Sequence, residues 1–76
     1  MKFLSKKEEK KFLKKHDIDL ADGLSLAIDG DNVFAFRKSI LNFPLGKLNV
    51  KRVGMLLGKI DKEKLEVLKN AGHLLR

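Results

Sequence analysis

Leu24-Ser25-Leu26-Ala27-Ile28-Asp29-Gly30-Asp31-Asn32-Val33-Phe34-Ala35-Phe36 is the stretch on which the fold turns. Leu24 to Ile28 alternates large apolar with small side chains, the period of a half-buried strand. Asp29-Gly30-Asp31-Asn32 is a dense run of residues that accept turn or left-handed backbone at low cost. Val33 to Phe36 then resumes a strand pattern, so the whole segment predicts a β-hairpin. Phe34 and Phe36 share one face of their strand. That pattern also occurs in platforms for stacked bases, but in so small a chain it is expected to be core.

Before the hairpin, Ser5 followed three residues later by Glu8 makes a capping box for a helix from about Lys6 to Lys15. Phe12 and Leu13 are its inward anchors, and Phe3 and Leu4 pack at its entry. At 100° per residue, Lys6, Lys7, Lys10, Lys11, Lys14 and Lys15 fall in one arc of about half the circumference. Phe12, Leu13 and His16 fall opposite, and Glu8 sits at the rim of the lysine arc. Asp17 to Gly23 is a loop that turns Ile18 and Leu20 inward.

After the hairpin, Ser39 is expected to open a short helical turn over Ile40-Leu41-Asn42-Phe43, stopped by Pro44. Leu45 to Lys51 is a connection in which Gly46 and Asn49 permit bends. Arg52 to Ile60 reads as a third strand, with Gly54 and Gly58 marking bulges or close backbone approach. Asp61 is the expected N-cap of a last helix through about Ala71, with Leu65, Val67 and Leu68 facing in and Gly72 ending it. The tail, His73 to Arg76, is apolar enough to pack back on the core. Residues 1–76 are thus expected to form one α+β domain: a small, mainly antiparallel sheet of about three strands, two main helices and a short helical turn, in the order α-β-β-α-β-α.

Composition narrows the function classes. With no Cys, zinc ribbons are excluded and a reducing, cytoplasmic setting is expected. No apolar run is long enough for a signal peptide or a membrane span, so no membrane partner is expected. Seventeen Lys and Arg stand against ten Asp and Glu, a net charge of +7. Such a field attracts polyanions. A thermophile-like surface of ion pairs is the plain alternative, but it would balance Lys with Glu more evenly than fourteen to four.

No catalytic constellation is legible, so the chain is not expected to be an enzyme. His16 and His73 have no nucleophile to serve beyond three serines, one of which is the helix cap. Gly54 to Ile60 differs from a phosphate-binding P-loop: three residues separate its glycines and Ile60 follows Lys59 where Ser or Thr would hold magnesium. Asp29, Asp31 and Asn32 run straight into a strand with no bidentate Glu, as a hairpin turn does and a calcium loop does not. Neither metal nor cofactor is expected.

The stretch from Asn32 to Phe36, then Ile40-Leu41, then Val53-Gly54-Met55-Leu56-Leu57-Gly58-Lys59-Ile60 resembles the N-terminal, pre-PUA domain of Nip-seven-type ribosome-biogenesis factors. A similar glycine-punctuated segment occurs in the C-terminal RNA-binding region of Sun-family RNA cytosine methyltransferases. The resemblance spans Leu4 to Leu75 in element order, and its sharp part covers about thirty residues. It implies a place in ribosome assembly or RNA modification. The expected partner is RNA or a ribonucleoprotein, met by the phosphate-binding candidates Lys6, Lys7, Lys10, Lys11, Lys14 and Lys15, extended by Arg37, Lys38, Lys51, Arg52 and Lys59. In that family an RNA-binding PUA domain follows, so the alternative is an adaptor that docks a PUA-containing partner or an assembly factor.

Overall fold

The hairpin lies at the centre of one antiparallel sheet. A computed structural model of the chain describes residues 2–39 and 50–76. Their order is β1 (Lys2–Phe3), α1 (Lys6–Lys15), β2 (Leu24–Asp29), β3 (Asn32–Arg37), α2 (Val50–Val53), β4 (Met55–Asp61), β5 (Lys64–Val67) and a C-terminal 3-10 helix, Lys69–Leu74. The strands neighbour one another in chain order, β1-β2-β3-β4-β5, each antiparallel to the next. β2 and β3 close on each other with Asp29 opposite Asn32. Gly30, with φ 61°, takes the first central position of this two-residue turn, the place where a type II′ turn asks for glycine.

Register sorts the side chains into two sets. Leu26 lies opposite Ala35 and Ile28 opposite Val33, and with Leu24 and Leu57 they form the larger core. Phe12 and Leu13 of α1, Ile18 and Leu20 of the following loop, and Ala71 and Leu74 of the 3-10 helix cover that face. On the other face Ala27 lies opposite Phe34 and Ser25 opposite Phe36. There Phe3 of β1 meets Phe36 edge-to-face, with ring centroids 5.0 Å apart. Phe34 and Phe36, expected as core, are buried. No described helix is long and apolar enough to cross a membrane.

The sheet has more strands than the three expected. Phe3, read as helix-entry packing, belongs to a two-residue strand whose partner Ala27 lies more than twenty positions away. The third strand does not start at Arg52. Val50–Val53 is one helical turn, α2, and the strand begins after Gly54, at Met55. The largest correction concerns the C-terminal segment, where no helix runs from Asp61 to Ala71. Asp61 pairs with Lys64, Ile60 with Leu65 and Gly58 with Val67, so β4 and β5 form a second hairpin. Leu65 and Val67 are half-buried while Lys64 and Glu66 are exposed, a period-2 pattern confined to four residues. Pairing against the exposed backbone of β4 outweighed the helix preference of Asp61-Lys62-Glu63-Lys64. Gly72 lies inside the 3-10 helix instead of ending a longer one, and the tail does pack back: Leu74 is buried and Leu75 bridges to Leu20. The helical turn expected at Ile40 to Phe43 and the bends at Gly46 and Asn49 lie outside the described residues.

The β4–β5 turn carries a cost that the sequence did not advertise. Both central residues have positive φ, 49° at Lys62 and 67° at Glu63, the signature of a type I′ turn built from side chains that disfavour it. Left-handed backbone costs roughly 1–2 kcal/mol per ordinary residue and little for Asn or Gly. The double substitution Lys62→Asn, Glu63→Gly leaves net charge unchanged and is expected to stabilise the protein by about 1–2 kcal/mol. Thermal unfolding followed by circular dichroism checks this; an unchanged or lower midpoint would refute it.

Candidate nucleic-acid interface

α1 begins as its capping box dictates. The Glu8 amide donates to the Ser5 hydroxyl at 3.2 Å, and the Ser5 amide donates to the Glu8 carboxylate at 3.2 Å. Glu8 also receives the Lys2 ammonium at 2.5 Å. That ammonium first, and the Ser5 amide next, hold the Glu8 carboxyl below the usual range. The acid nearest the lysine arc is therefore already engaged. Glu9 falls between Phe12 and Leu13 on the helical wheel, on the inward side, and is half-buried.

Lys6, Lys7, Lys10, Lys11, Lys14 and Lys15 are all exposed. They form two files, 6-10-14 and 7-11-15, each rising about 6 Å per four-residue step along a helix of about 15 Å. The ion pairs among the described residues join Lys2 to Glu8 and Arg76 to Asp19 and Asp22, and none includes a lysine of α1. The arrangement lowers helix stability. The four like-charge pairs at i,i+4 (6–10, 10–14, 7–11, 11–15) cost about 1–2 kcal/mol together, at roughly 0.2–0.5 each. A helix shaped for stability alone would have set Glu among them. Lys14 and Lys15 do complement the helix C-terminus, but Lys6 and Lys7 oppose the dipole at the N-terminus.

The Asp17 amide donates to the Lys14 carbonyl at 3.3 Å, and the helix closes at His16, whose amide donates to the Phe12 carbonyl at 3.1 Å. Its ring lies 4.5 Å from that of Phe12. Burial chiefly, and Lys15 next, push the His16 imidazole below its ordinary value, so it is neutral at physiological pH. The neutral form stabilises the folded chain fully above the unfolded histidine value, and that contribution is lost as pH falls below it.

The other basic candidates stand elsewhere. Arg37 ends β3 and Lys38 follows it, both exposed, with the Lys38 amide donating to the Gly23 carbonyl at 2.9 Å. They edge a cleft of about 610 Å³ shared with Asp22, Met55 and His73. Arg52 is exposed on α2. Lys59 pairs in register with Asn32 and Glu66, which puts it on the sheet face away from α1. The side chain of Lys51 lies outside the described part. Six of the eleven candidates are thus gathered on one helix.

Sequence reasoning missed Lys2. Pairing of β1 with β2 brings Lys2 beside α1, where it joins Leu4, Glu8, Lys11, Phe12, Lys15 and Ile28 around a groove of about 490 Å³. No local pattern signals this, because it depends on the contact of β1 with distant β2. Among the described residues, no group of three or more His, Asp or Glu is placed to hold a metal ion. No family model, curated protein or solved structure matches the chain.

Proposed function

We propose that this chain is a non-catalytic, RNA-associated binding module whose α1 lysines grip phosphates. The observation that carries the reading is the exposed double file of six lysines, with no carboxylate paired to any of them among the described residues. Ammonium groups on a rigid helix act as point charges and release condensed counterions from a polyanion, which makes binding strong at low salt and independent of sequence. The destabilising lysine pairs within α1 favour the same reading, because an anion would relieve their repulsion. The resemblance to pre-PUA domains supplies ribosome assembly or RNA modification as the setting.

Affinity for a structured RNA across a salt series tests the proposal. With all six lysines engaged, log affinity should fall against log salt with a slope near −5 for a duplex and near −4 for a single strand, roughly −0.9 and −0.7 per contact. Absence of binding at low ionic strength would end the RNA reading. If a protein partner then co-purified, the adaptor reading would replace it.

A further inference from the structure

We propose that the groove between α1 and the β1–β2 edge takes one unpaired nucleobase, while Lys11 and Lys15 hold the phosphates beside it. The proposal rests on the RNA reading above and narrows it to single-stranded or looped RNA.

Leu4, Phe12 and Ile28 supply the apolar lining, and Lys2, Glu8, Lys11 and Lys15 the charged one. The groove is shallow and open to solvent, with a volume of about 490 Å³. Lys11 and Lys15 belong both to this groove and to the lysine arc, so a strand tracking the helix passes its mouth. Lys2 and Glu8 are paired with each other, which leaves Lys11 and Lys15 as the uncompensated charges there. Anionic groups flanking an apolar body fit that layout, and a nucleotide has both. Bases stacked within a duplex cannot reach the lining, whereas an unpaired base can leave water for it. Phe34 and Phe36 offer no rival platform, being buried on the opposite face of the sheet. The apolar residues carry no donor or acceptor side chain, and Lys2 and Glu8 are engaged with each other, so the lining favours no particular base.

The test varies the RNA and leaves the protein intact. Fluorescence anisotropy would compare oligouridine of about ten nucleotides with an abasic strand of the same length and charge, a span typical of single-strand sites. Oligouridine should bind roughly tenfold tighter, the scale of one stacked base. That ratio should persist across the salt series, because counterion release is common to both strands. Equal affinity for the two strands would overturn the groove proposal and leave the lysine face standing. Equal affinity together with tight binding of an acidic, leucine-containing peptide would assign the groove to a protein segment instead. No binding of either strand would overturn both readings.

Discussion

Replacing Gly58 by alanine is expected to destabilise the protein by about 2–3 kcal/mol, a large effect for one added methyl group. A Cβ built on Gly58 would stand 2.3 Å from the Glu66 carbonyl oxygen and 3.0 Å from both the Glu66 carbonyl carbon and the Val67 Cα. All three are backbone atoms of β5, so no side chain can swing aside to relieve the clash. Relief requires β5 to move off β4, which loosens the pairs that hold Leu65 and Val67 against the core. A domain of this size holds only about 4–11 kcal/mol of stability in total, so the loss is a large share of it. At roughly 4–8 °C per kcal/mol, the unfolding midpoint should fall by more than about 8 °C. Gly72→Ala is the matched control. A Cβ there meets nothing within 4 Å, and the midpoint should hold or rise slightly. Equal behaviour of the two variants would show that the β4–β5 approach is not as tight as described.

Gly58 also shows what could and could not be read in advance. A glycine inside an apolar strand signals a bulge or a close backbone, and both occur here. Leu57 is the extra residue where the β3–β4 register shifts, and Gly58 is the point of approach. The neighbour responsible was illegible, because β5 is built from Lys64 to Val67, whose composition favours helix. Four residues of alternation are too few to outweigh a plausible N-cap and a run of charged helix formers. The central hairpin was legible because three signals agreed: alternation, a cluster of turn residues and a glycine at the tight position. α1 was legible for the same reason, its cap box and its wheel pointing to one register. The site divides along the same line. Six lysines on one helix need only the 100° rotation to be placed together. Arg37, Lys38, Arg52 and Lys59 depend on tertiary pairing, and the sheet distributes them elsewhere. Lys2 and Ile28 meet α1 only because β1 lies beside β2, so the groove they line could not be drawn from periodicity.

Reversing Lys7, Lys11 and Lys14 to glutamate should weaken RNA binding by roughly a hundredfold or more at low ionic strength and flatten the salt slope by at least about 2. Each change removes a phosphate contact and sets a repelling carboxylate in its place. The net charge falls from +7 to +1, since three reversals remove six charges. A long-range field could account for part of any loss, so the control must carry the same charge in another place. Lys62, Lys64 and Lys69 are exposed on the β4–β5 turn, β5 and the 3-10 helix, and their reversal also gives +1. If binding belongs to α1, the first triple variant loses it and the second keeps most of its affinity and nearly all of its slope, because the slope counts contacts and not total charge. Folding should survive in both. All six positions are exposed, and in α1 glutamate is as good a helix former as lysine; Lys64→Glu faces Asp61 across the β4–β5 pair, at a cost of under about 1 kcal/mol. In Lys11→Glu the new carboxylate also faces Lys15, which turns one repelling pair of α1 into an attracting one. Equal losses in the two variants would mean that α1 acts only through its share of the total charge, and the double file of lysines would then have no function of its own.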